Sequence, residues 1–191
     1  MWALVLTWSR LALAPVAVWQ AITHVDAFWT AMILAVGLLT DVFDGIVARR
    51  ANASTAGLRL ADSVVDTVFY LAIAWAAWLR FPQALRPWAM AISGIIACEL
   101  ANYSVSLYKF GKGASYHAYS AKAMGVALFS ACLLLFLTGS AVLLPIALAV
   151  ALLAQIEVAM ITWVLPSWHH DVRTVVHAVH LRDAHRTATP T

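Results

Sequence analysis

Six long apolar runs divide the chain, each closed by polar, proline or glycine residues. The first covers about Ala3–Ile22 and ends at the polar turn Thr23-His24-Val25-Asp26. The second, about Ala27–Ala48, gives way to Ala51-Asn52-Ala53-Ser54-Thr55, and the third is about Leu58–Leu79. Arg80 to Pro87, with prolines at 82 and 87, breaks the pattern before the fourth run, about Trp88–Tyr108. A basic, glycine-rich stretch from Lys109 to Ser115 leads to the fifth, about Ala118–Leu137; Gly139-Ser140 then turns the chain into the sixth, about Leu143–Leu165, which Pro166 closes. Each run has about the 20 residues that a helix needs to cross a bilayer. The pattern predicts an all-α integral membrane bundle of six transmembrane helices over residues 1–166. The polar segment 167–191 follows as a cytoplasmic tail. There Val172, Val175, Val176 and Val179 recur at helical spacing, which predicts a short interfacial helix.

Composition narrows the class. Of 191 residues, 63% are hydrophobic and only 11% charged, with a mean hydropathy of +0.84. A soluble domain of this length rarely carries so little charge, so a single membrane domain is expected. The net charge of +3 bears on orientation rather than on nucleic acid, and no nucleic-acid partner is expected. Arg49, Arg50, Arg59, Lys109, Lys112, Arg173, Arg182 and Arg186 fall on one side of the predicted bundle, and Arg80 and Arg86 on the other. Basic loops stay cytoplasmic. The expected location is therefore the inner (cell) membrane, with both termini cytoplasmic. Cys98 and Cys132 fall in apolar runs and read as buried thiols.

The candidate chemistry is concentrated in one place. Of the nine acidic residues, Asp41, Asp44, Asp62 and Asp66 lie within 26 positions, between two apolar runs. A carboxylate at mid-helix depth costs roughly 2.5–3.5 kcal/mol on insertion scales. A shared divalent cation, Mg²⁺ or Mn²⁺, one or two ions, is the simplest reason to tolerate four. Asp41 and Asp44 are three apart, and Asp62 and Asp66 four apart, so each pair shares a helix face. An antiparallel hairpin would bring the two faces together. Gly45 would let a phosphate approach the backbone, and Arg49 offers a planar fork that suits one.

The spacing Asp-x2-Asp-Gly-x2-Ala-Arg at 41–49, followed by Asp-x3-Asp at 62–66, resembles the signature of the CDP-alcohol phosphotransferase (CDP-alcohol phosphatidyltransferase) family. Leu58 stands where that family usually has a second glycine, and Gly57 lies one step earlier. Thr7, Arg10 and Pro15 are similar to its first-helix pattern. The resemblance implies a metal-dependent enzyme of phospholipid synthesis. The hydroxyl of an alcohol would attack the β-phosphorus of a CDP-linked lipid such as CDP-diacylglycerol, releasing CMP. It implies that Asp41, Asp44, Asp62 and Asp66 form the metal set, with Asp66 as catalytic base. Asp41, Gly45, Ala48, Arg49, Thr7 and Gly57 would bind the nucleotide and its phosphates. Arg10, Asn102, Lys109, Lys112, Ser120 and Lys122 are candidates for the acceptor, and the three lysines favour a phosphorylated one such as glycerol 3-phosphate. Glu99, Asn102, Tyr103 and Ser106 form a polar stripe that would either line the cavity or bond to neighbouring helices. Glu157 is expected to pair with Lys122. The family also implies a homodimer, although no sequence feature requires one. Two other classes remain open: an ion-coupled membrane transporter, for which the acids cluster too much at one end, and an inactive scaffold member of the same fold.

Overall fold

The computed structural model describes the backbone of residues 2–51, 56–113, 116, 118–169 and 171–188, and the side chains of 8–40, 65–113, 116, 118–169 and 171–184. All regular structure among the described residues is helical. The helices are α1 (Trp2–Ile22), α2 (Ala27–Ala51), α3 (Ala56–Arg80), the short α4 (Pro82–Leu85), α5 (Ala89–Phe110), α6 (Tyr119–Thr138), α7 (Leu144–Val164) and α8 (Val175–Ala188), with a 3₁₀ turn at Arg86–Trp88. The long helices begin and end within a few residues of the apolar runs. What the pattern missed is α4. Pro82 occupies its first position, where a missing N–H does no harm, so the proline-rich break is itself partly helical. Among the described residues, the stretches Pro82–Phe110, Tyr119–Thr138 and Leu144–Val164 are long and apolar enough to cross a membrane, and Ala27–Thr40 is a shorter apolar helix.

The chain separates into two compact units, Met1–Arg86 with Cys132–Ala141, and Pro87–Ala131 with Val142–Thr191. In the first, Ala14, Ala17 and Ala21 are buried along one side of α1, spaced 3 and 4 apart. Small side chains allow two helix backbones to approach closely where lipid offers no hydrophobic drive. α3 presents Val65, Phe69, Ile73, Ala76 and Ala77 to the same core. Two polar links tie these helices, Arg10 to Asp66 near their middles and Arg80 Nη1 to His24 Nδ1 at 2.8 Å at their C-terminal ends. Both span 56 positions, so α1 and α3 run parallel in fixed register. α2 packs mainly on α1. Its Gly37 faces the ring of Phe69 so closely that a Cβ there would collide with it. Thr30 Oγ1 donates to Gln20 Oε1 at 3.0 Å and ties α2 to α1. Phe81 meets Phe136 edge to face, ring centres 5.8 Å apart.

In the second unit α5 and α7 also run parallel. Asn102 Nδ2 donates to the backbone oxygen of Gln155 at 3.0 Å and to its Oε1 at 2.8 Å, while Gln155 Nε2 donates to Glu99. Lys109 reaches Thr162 seven residues further along both helices, at the same offset of 53 as Asn102 and Gln155. Two residues of the polar stripe of α5, Glu99 and Asn102, therefore bond to α7, while Ser106 Oγ donates to the carbonyl of Lys112 just beyond its own helix at 3.0 Å and Tyr103 is exposed. Large apolar side chains elsewhere on α5, Met90, Ile96, Leu100 and Val105, point outward. Gly111 ends α5 with a left-handed φ of 68°, and its N–H donates to the carbonyl of Leu107 at 2.8 Å. That conformation suits glycine, which has no Cβ to strain.

The tail is more firmly attached than its polarity indicates. Val172 and Ala178 are fully buried with Tyr116, Ala118, Ile161 and Leu165, and Val175 and Leu181 pack against them. The apolar side of α8 thus lies on α7 and the loop after α5. Of the four valines expected on one face, Val172 precedes the helix and Val176 is exposed.

Candidate active site

The signature acids sit on two consecutive helices. Asp41 and Asp44 lie three apart in α2, and Asp62 and Asp66 four apart in α3, with the chain from 52 to 55 between the helices. Gly45, Ala48 and Arg49 continue along α2, Gly57 opens α3, and Thr7 lies in α1. The expected convergence of the two carboxylate pairs involves Asp41, Asp44 and Asp62, whose side chains lie outside the described residues. So do those of Thr7, Ala48 and Arg49, and the surroundings of Gly45 and Gly57.

Asp66 is described. Its Oδ1 accepts a hydrogen bond from Nη1 of Arg10, an ion pair between α3 and α1. The arginine side chain is 1% exposed and the aspartate 25%. Burying a guanidinium requires a compensating charge, and Asp66 supplies it. The alanine seam explains how they meet. Arg10 stands one turn before Ala14, and Asp66 stands one turn before Phe69, so the contact that closes α1 on α3 carries the pair.

The expected acceptor residues of the second unit have other partners. The Lys109 ammonium donates to the carbonyls of Thr162 (2.8 Å), Trp163 (3.1 Å) and Leu165 (2.9 Å). All three of its N–H groups are occupied, and a cation at a helix C-terminus satisfies carbonyls that have no partner within the helix. Replacing Lys109 with Met, which keeps most of the stem and removes the charge, should lower stability by about 1–3 kcal/mol. The readout is a lower Tm of the detergent-solubilised protein. An acceptor contact would instead raise the acceptor KM at unchanged Tm.

Lys112 lies over the ring of Trp168, 4.6 Å from its centre, and Trp168 Nε1 donates to the carbonyl of Gly113 at 3.1 Å. Tyr116 and Thr162 join hydroxyls at 3.0 Å. These contacts join Lys112, Gly113 and Tyr116 to α7 and to the chain that follows it. Lys122 extends over Tyr119, 5.7 Å from its ring centre, and among the described residues it forms no ion pair with Glu157. The Ser120 hydroxyl oxygen is buried and has no hydrogen-bond partner among the described residues. Gln155 is the residue the sequence reading overlooked. The one amide of a long and mostly apolar helix was the signal, since it must find partners in a medium without water.

For a metal, the donor chemistry of the signature is consistent: carboxylates without sulfur or imidazole suit hard cations. Among the described residues no three His, Cys, Asp or Glu come together, and of the four signature acids these include only Asp66.

Several long apolar helices and a polar signature at one end of α2 and α3 define a multi-pass membrane protein. The chain belongs to the CDP-alcohol phosphatidyltransferase family, whose model matches residues 1–171. The match covers both signature helices and runs through α7. This family transfers a phosphatidyl group, a substituted phosphate, from a CDP-alcohol to an alcohol in phospholipid synthesis, and it is generally dependent on a divalent metal. No curated protein and no solved structure matches the chain. The homodimer that the resemblance implied is not supported by these findings.

Proposed function

We propose that the protein uses CDP-diacylglycerol and a small alcohol, glycerol 3-phosphate in the first instance, and that Asp66 is the general base. The observation that carries this reading is the complete acidic signature inside the matched range, on two consecutive helices. In the step itself, the acceptor oxygen forms a bond to the β-phosphorus of the CDP-lipid. The bond from that phosphorus to the bridging oxygen breaks, and CMP leaves with the electron pair. The acceptor proton passes to the Asp66 carboxylate. Phosphoryl transfer of this kind is mainly a matter of positioning and of neutralising developing charge. Asp41, Asp44 and Asp62, with Asp66 at the margin, would hold Mg²⁺ or Mn²⁺. Such ions neutralise pyrophosphate charge when bound. Gly45 and Ala48 leave room for the nucleotide, and Arg49, with Thr7 and Gly57 nearby in the signature, contacts its phosphates.

All six long helices span the membrane in this reading. The lengths of α1, α2 and α3, 21, 25 and 25 residues, support it. At about 1.5 Å rise per residue each reaches the roughly 30 Å of a hydrocarbon core. The distribution of basic residues supports a signature at the cytoplasmic face of the inner membrane, open to nucleotide from the cytosol and to lipid from the leaflet. Because Lys109 is occupied by carbonyls, Lys112, Lys122 and Ser120 are the better acceptor candidates of the second unit. The test supplies purified protein in micelles with CDP-diacylglycerol, Mg²⁺ or Mn²⁺, and a panel of alcohols, and measures CMP. Release that depends on both metal and acceptor is expected. No CMP with any acceptor would overturn the transferase reading in favour of an inactive scaffold or a transporter.

A further inference from the structure

We infer that Arg10 is a positioning residue for Asp66, and that it acts from behind the carboxylate rather than on a substrate. The inference rests on the proposed role of Asp66 as general base, and it replaces the expectation that Arg10 binds the acceptor. Three observations carry it. First, exposure orders the groups: the Arg10 side chain is 1% exposed and Asp66 is 25% exposed, so a reactant arriving from outside meets the carboxylate and not the guanidinium. Second, the hydrogen bond from Arg10 Nη1 goes to one carboxylate oxygen, Oδ1, which restricts rotation of the Asp66 head group. Third, the base of the arginine is fixed by the helix that carries it. Ala14, Ala17 and Ala21 seat α1 against the core, and the second link, His24 to Arg80, holds the far end of the same helix pair.

A base must lie within hydrogen-bond reach of the proton that it takes, and small misplacements reduce turnover steeply. Arg10 provides for that reach by fixing the carboxylate before the substrate arrives. The arrangement has the logic of a triad, in which a third, buried group orients the base without touching the reacting atoms.

The test compares Arg10→Gln and Arg10→Lys with the unmodified protein by CMP release, each normalised to folded protein by gel filtration. Arg10→Gln should lower kcat by about 10²-fold, with KM for CDP-diacylglycerol and for the acceptor unchanged. Arg10→Lys keeps the charge but loses the planar fork, and should restore part of kcat. In an Asp66→Asn background, Arg10→Gln should produce no further loss of residual turnover or of CDP-diacylglycerol binding. A raised acceptor KM at unchanged kcat would show that Arg10 contacts the acceptor, and would overturn the inference. So would unaltered kinetics in Arg10→Gln, or an additional loss in the Asp66→Asn background. Should Arg10→Gln not fold, Arg10→Lys and the double-variant comparison with Arg10→Lys decide. The unmodified protein separates the two levels: if it releases no CMP, the transferase reading fails and takes this inference with it. If it turns over and the arginine variants do too, only the positioning role fails.

Discussion

Asp66→Asn is expected to reduce turnover by about 10²–10⁴-fold, the range supplied by a positioned general base. Asparagine keeps the shape of the side chain and removes its capacity to take a proton. CDP-diacylglycerol binding should survive, because the phosphate contacts assigned to Arg49 and Gly45 remain. A second effect follows from the structure. The variant removes the charge that Arg10 meets on Asp66 in a part-buried ion pair, so Tm should fall as well. The two effects are separated by measuring CMP release per folded molecule and lipid binding in the same preparation. Turnover at the unmodified rate would remove Asp66 from the role of base.

Phe69→Ala should be the most damaging change outside the signature. Its ring is completely buried, one turn beyond Asp66, and it fills the space left open by Gly37 on α2. Removing a buried phenyl ring typically costs about 3–5 kcal/mol through lost contacts and the cavity left behind. Thermal unfolding in detergent is the measurement. A paired variant, Phe69→Leu, should recover most of the loss, because it refills much of the volume. Equal Tm for Phe69→Ala and the unmodified protein would mean that the α1–α2–α3 core does not depend on this ring.

The helices were legible because a membrane leaves few choices. Backbone groups in hydrocarbon must pair within their own segment, so long apolar runs become helices and their polar interruptions become turns. Thr23–Asp26 and Gly139-Ser140 marked such turns, and the structure bends at both. The signature was legible by its fixed spacing, and the residues that carry it lie inside the range that the family model matches. Partner choice was not legible. Arg10 and Asp66 are 56 positions apart, and only the parallel packing of α1 and α3 reveals that they meet. A lone arginine in an apolar run did announce that it needed a counter-charge, but several acids could have served. The partners of Lys109 were equally hidden. Its bonds to the last carbonyls of α7 depend on a helix end about 53 residues later. The expected Lys122–Glu157 pair assumed that similar depth means contact, whereas Lys122 lies over Tyr119.

The two clasps between α1 and α3 work like the paired marks of a vernier scale. Arg10 and His24 are separated by the same interval as Asp66 and Arg80, so both marks coincide only when the two helices have equal numbers of residues between them. An inserted residue anywhere in that interval turns everything beyond it by about 100° and advances it by about 1.5 Å. One mark could then be met only by missing the other. Length variation among related chains should therefore gather in the 52–55 connection and other segments outside the two intervals, and the stretches from Arg10 to His24 and from Asp66 to Arg80 should keep their residue counts even where their side chains drift.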